Sequence, residues 1–126
     1  MRALGRDRGG GAIEMAIMLP LLLVCVFLTA HLCMLFLARQ AALSTAQIAV
    51  EGERGYGADP GAGKSRAERF IEQLPPVLGG PTVQVSNDGV QVTATVTGTA
   101  TSIVPWFEHT VTQTASGPVE RITEVP

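Results

Sequence analysis

From Met15 to Ala38 the chain is an almost unbroken apolar run, in which 21 of 24 residues are hydrophobic and only Pro20, Thr29 and His31 are not. As a helix this run rises about 36 Å, enough to cross a hydrocarbon core of ~30 Å with some tilt. The pattern predicts a transmembrane helix over 15–38 behind a short leader, 1–14. Beyond Arg39 the apolar positions thin out but keep helical spacing. Ala42, Leu43, Ala46, Ala49 and Val50 share one face, while Gln40, Ser44, Gln47 and Glu51 lie elsewhere. The helix should therefore run on past the membrane, with a small-residue face for packing against like helices or against the strands that follow. Gly52–Gly63, with five glycines and a proline, reads as a loop. Ser65 followed by Glu68 has the form of a capping box, and Ala67, Phe70, Ile71 and Leu74 trace one apolar face until Pro75 and Pro76 end the helix.

The remainder changes to period two. Thr82–Ser86 and Gly89–Val96 alternate valine with polar residues about Asn87-Asp88, the pattern of a β-hairpin. Ala100–Val104 and Thr110–Ala115 are further strand candidates, separated by Pro105-Trp106-Phe107-Glu108-His109, and Pro118–Val125 reads as an edge or tail. The expected fold is α+β: one long N-terminal transmembrane helix continuing outside the membrane, then a head (39–126) of one short helix and a three- to four-stranded antiparallel sheet with helices on one face.

Composition narrows the function. The chain has 126 residues, 46% hydrophobic, with a formal net charge of −2. Outside the apolar run only about 36% of residues are hydrophobic, against roughly 45–50% (a count that includes glycine) in soluble domains, so the expectation is a head with a thin core. There is no basic excess to neutralise phosphates, and nucleic acid is not an expected partner. Arg2, Arg6 and Arg8 precede the span, whereas Arg39 and Arg54 follow it. This bias favours a cytoplasmic N-terminus and an extracytoplasmic head at the cell membrane. A cleaved secretory signal is the competing reading, but its apolar region should be only ~7–15 residues, and the best exit, Leu28-Thr29-Ala30, leaves Leu32–Ala38 apolar beyond it. Cys25 and Cys33, about 12 Å apart along one helix, cannot pair with each other, and read as small hydrophobes, with an intermolecular bridge or acylation as the alternative. His31 reads as a hydrogen-bonding partner for a neighbouring helix or backbone, and Pro20 as a kink that neighbouring helices can accommodate.

The junction ahead of the helix is the most informative segment. Arg6-Asp7-Arg8-Gly9-Gly10-Gly11-Ala12-Ile13-Glu14 sets a glycine run and then a single carboxylate at the entrance of an apolar helix. One reading is an N-terminal charge favoured by the helix dipole. The sharper one is a prepilin-type junction, cut by a membrane aspartyl peptidase between Gly9 and Gly10 so that Glu14 stands fifth in the mature chain. The freed amine of one subunit would then meet the glutamate of its neighbour, a charge pair that selects the register of stacked apolar helices.

Residues 8–55, RGGGAIEMAIMLPLLLVCVFLTAHLCMLFLARQAALSTAQIAVEGERG, resemble the TadE-like family of minor pilin-like proteins from tight-adherence (Flp-type) pilus systems. The likeness is carried by the glycine run, Glu14 with a hydrophobic neighbour, Leu19-Pro20-Leu21, and the alanine-rich continuation after Ala38-Arg39-Gln40. The tail ending in Ala-Ser-Gly-Pro-Val-Glu resembles the compact C-terminal part of such proteins. Met15 stands where these proteins often carry an aromatic residue, and with three consecutive glycines the cut could flank Gly9, Gly10 or Gly11. The resemblance implies a pilus-assembly or secretion component that works by helix packing and subunit contact. Its implied partners are membrane lipid, other pilin-like subunits, an assembly platform and a prepilin-type peptidase.

Catalysis finds little to work with. Outside the span the only histidine is His109, beside Glu108, and no cysteine remains to help hold a metal. Gly63-Lys64-Ser65 lacks the glycine four residues earlier that a phosphate loop requires, since position 58 is alanine. The expectation is a protein with no catalytic residues, metal, cofactor or small-molecule substrate. Trp106 and Phe107 read as a hydrophobic plug closing the sheet, with an exposed partner contact as the alternative. The competing function is a single-pass membrane-anchored binding module with no pilus role, which would have no use for Glu14.

Overall fold

The helical pattern runs from the leader into the head in spite of three glycines near its start and Pro20 within it, and the computed structural model carries a single helix, α1, over Asp7–Arg54. Residues 7–103 and 106–121 are described. The chain divides into two units, Met1–Cys33 and Met34–Pro126. In the first, large apolar side chains from Ile13 to Leu32 are about half exposed or more. Pro20 removes the N–H that would reach the Ala16 carbonyl, and Thr29 donates its hydroxyl to the Cys25 carbonyl at 2.8 Å.

The second unit contains α1 from Met34 onward, α2 (Ala62–Gln73) and the strands β1 (Leu78–Asn87), β2 (Gln91–Ala100) and β3 (His109–Pro118). The strands form an antiparallel meander in the order β1-β2-β3. Alternation decides the faces. Val92, Ala94, Val96 and Ala100 of β2 turn inward, with Val83 of β1 and Val111 of β3, against Ala38, Ala42, Ala46, Ala49 and Val50 of α1 and Ala67 of α2. The fully buried hydrophobic residues of this core are alanines and valines, with Leu35, Ile71 and Leu78 packed against it half-buried, so helix and sheet backbones must approach closely to exclude water. The buried Thr45 hydroxyl donates to the Ala41 carbonyl at 2.7 Å and adds no unpaired group to that core. The opposite face is polar, with Thr95 facing Thr114 and Thr97 facing Thr112 at 3.3 and 3.4 Å between hydroxyls.

The structure corrects several sequence expectations. The glycine-rich segment is not a loop throughout, because α1 extends to Arg54 and α2 already begins at Ala62. Ser65 therefore cannot cap: its N–H donates to the Gly61 carbonyl at 3.1 Å, one turn into the helix. The capping falls to Glu53 of α1, whose carboxylate accepts the N–H groups of Gly61 at 3.2 Å and Gly63 at 3.1 Å. Anionic capping of otherwise orphan donors has the same physical basis as a local cap, supplied here from another helix. We predict that Glu53→Ala lowers the unfolding free energy by about 1–2 kcal/mol. Ser65→Ala should change it by less than about 0.5 kcal/mol. Chemical denaturation of the two variants in the same detergent checks both values.

The hairpin forms as expected but tighter on one side, since β2 starts at Gln91 rather than Gly89. Asn87 accepts the Gly89 N–H at 2.8 Å, and the Asp88 carboxylate accepts those of Val90 and Gln91 at 2.8 and 2.6 Å. The Gln91 and Val90 donors hold the Asp88 carboxyl below its ordinary range. Strand β1 begins at Leu78, four residues before the expected start, because an irregularity between Gly79 and Thr82 absorbs Gly80 and Pro81. The expected strand Ala100–Val104 does not form: Ala100 ends β2, residues 101–103 are irregular, and 104 lies outside the described residues. Beyond Pro118, Val119 and Glu120 donate to the carbonyls of Val90 and Arg54 at 2.9 Å each, while 122–125 lie outside the described residues.

Candidate functional site

Gly9, Gly10 and Gly11 stand in the first turns of α1. A methyl group placed on any of them would meet nothing within 4 Å. Glycine in a helix costs about 1 kcal/mol relative to alanine, and no crowding in the folded chain asks for it here. A run of three therefore weakens the start of the helix. One turn on, Glu14 is exposed between Ile13 and Met15, which are 65% and 73% exposed. Pro20 follows within the same exposed apolar surface. Gly9, Gly10, Glu14 and Pro20 thus fall on one continuous helix. Cys25 and Cys33 are both exposed and free.

The helix's most apolar window has a mean hydropathy of 2.6 with only 6% of its residues buried. A helix so apolar and so little covered by its own chain is built for lipid or for other helices, and it fits a single-pass membrane anchor.

In the second unit Trp106 is 81% exposed and Phe107 51%. The plug expected of them does not form, because Ala and Val already close the core and β3 begins only at His109. Phe107 instead meets the His109 ring edge-on, with centroids 5.2 Å apart. Among the described residues no group of three or more His, Cys, Asp and Glu stands together to hold a metal. Gly63-Lys64-Ser65, the weak phosphate-loop likeness, lies within α2.

Two residues that sequence reasoning passed over are Gly52 and Gly63, where α1 and α2 approach most closely. A methyl at Gly52 would come within 2.8 Å of the Gly63 Cα, and one at Gly63 would overlap the Ala49 carbonyl oxygen and lie 2.9 Å from the Glu53 backbone nitrogen. Both sit in a stretch whose composition says loop, so no local signal marks them.

These features define a class: a single-span, membrane-type helix bearing a glycine-glutamate start, continued into a small α+β unit. Residues 9–51 match the family model described as TadE-like protein, which bears out the resemblance of that segment. The match covers the junction, the span and the helical continuation, and it stops short of α2 and the sheet. No curated protein and no solved structure matches the chain. The matched segment suggests a pilin-like component of a Tad pilus system.

Proposed function

We propose that the protein is a minor pilin or pilus-assembly component of the TadE-like kind, held in the cell membrane by α1 with its N-terminus in the cytoplasm and residues 39–126 outside. The observation that carries this reading is Glu14, an exposed carboxylate on the apolar surface of α1 and five residues from the Gly9–Gly10 bond inside the matched segment. A plain anchor has no use for a charge there. In this reading a prepilin-type peptidase removes Met1–Gly9 and the new amine at Gly10 pairs with Glu14 of a neighbouring subunit. The uncovered apolar surface of α1 packs against other pilin-like helices, and the protein acts by contact, without chemistry of its own.

Intact mass and N-terminal sequencing of the protein purified from membranes of its native host test the reading. The expected mature chain starts at Gly10. An intact N-terminus on a membrane-retained chain would favour the unprocessed binding module, and a start near His31 would point to a cleaved secretory signal.

A further inference from the structure

We propose that Ile103, Trp106 and Phe107, described residues between β2 and β3, make a second membrane contact at the headgroup level of the bilayer. The inference rests on the anchor half of the reading above and is independent of its pilus half. Within the second unit the direction of α1 relative to β3 is fixed at one end. A methyl on Gly117 would meet Val50 and Arg54, and Glu120 donates to the Arg54 carbonyl. Both α1 and β3 finish there, so they run the same way across the unit. The segment preceding His109 therefore stands at the other end, where α1 brings in Met34–Arg39. At that end Leu35 and Ala38 turn into the core, whereas Phe36 and Leu37 are 63% and 48% exposed.

This is also where the apolar run stops. Ala38 is its last residue, and Arg39, exposed, is the first charge after it, a side chain suited to reaching headgroups while its stem stays in apolar surroundings. Ile103, Trp106 and Phe107 gather at this end, while the outer sheet face carries threonines and, among the described residues, Tyr56 and Val90 are the large apolar side chains exposed at the opposite end. Tryptophan is the residue type most at home at a membrane interface, with an apolar ring and one N–H for water or headgroups. Glu108, exposed beside Phe107, sets the depth: a carboxylate keeps the segment at the headgroups and out of the hydrocarbon.

Trp106 is the chain's only tryptophan, so its fluorescence reads this segment alone. The full chain is reconstituted into phosphatidylcholine–phosphatidylglycerol vesicles, floated on a density gradient, and measured with lipids brominated either near the headgroup end or near the tail end of the acyl chain. The expected result is a floated protein whose blue-shifted emission is largely lost to the shallow bromines, less affected by the deep ones, and poorly quenched by aqueous acrylamide. Floated protein whose emission ignores both bromolipids and yields to acrylamide overturns the proposal while leaving the anchor intact. A blue shift that depends on protein density and not on bromine assigns the segment to a second copy and overturns it too. Protein that does not float refutes the anchor, and this inference with it.

Discussion

Gly63→Ala is expected to destabilise the second unit by about 2–4 kcal/mol. The added methyl would overlap the Ala49 carbonyl oxygen and press on the Glu53 backbone, and backbone atoms cannot swing aside as a side-chain tip can. Relief requires α2 to move away from α1, which breaks the Glu53 hydrogen bonds to Gly61 and Gly63 and opens the core at Ala49 and Ala67. Overpacking alone costs about 1–3 kcal/mol, and the lost cap adds about 1 kcal/mol. For a unit of this size that is a fall in melting temperature of about 10 °C or more. Thermal unfolding of the full chain, followed by circular dichroism in one detergent, measures it. Gly10→Ala serves as the contrast: it fills open space and replaces a poor helix former, so the same melt should stay where it was. Equal behaviour of the two variants would mean that the close approach of α1 and α2 does not exist.

That contrast also shows what the sequence could and could not reveal. The long helix was legible because two signals agreed, an apolar run long enough to span a bilayer and then alanines at helical spacing, and its inward face is the one those alanines trace. The three strands were legible from valine and threonine alternation, above all in β2, which has a neighbour on each side. Legibility failed where the deciding partner is remote in the chain. Ser65 and Glu68 have the form of a cap, yet Glu53, ten residues before Gly63, supplies the carboxylate. Gly63 reads as loop because composition cannot distinguish a glycine needed for a turn from one needed for helix contact. At Gly9, Gly10 and Glu14 the folded chain adds nothing to the spacing, because it gives them open space and exposure and no packing role.

Glu14→Gln is expected to abolish assembly with other pilin-like subunits while leaving the protein in the membrane. Two accounts of this carboxylate differ enough in magnitude for one substitution to separate them. If Glu14 is only a headgroup-level charge, the helix dipole gives it at most about 1 kcal/mol, an effect already fading two turns past the start of α1 at Asp7, and its loss changes any association by no more than about fivefold. If it pairs with the Gly10 amine of a neighbour inside an apolar helix bundle, the substitution leaves an ammonium buried without its counter-charge, at about 3–5 kcal/mol. That corresponds to a loss of roughly 10² to several 10³ in association. Removing a carboxylate from an apolar helix does not hinder insertion, so flotation with membranes should match the wild type, and the N-terminal cut should persist because Gly9 and Gly10 are untouched. The measurement is recovery of the pilin-like partners with affinity-purified protein from native membranes, alongside the N-terminal sequence of the same sample. Loss of partners with membrane retention and the cut both intact assigns Glu14 to subunit register. Recovery within fivefold of wild type removes the charge pair from the mechanism and leaves α1 to associate through its apolar surface alone.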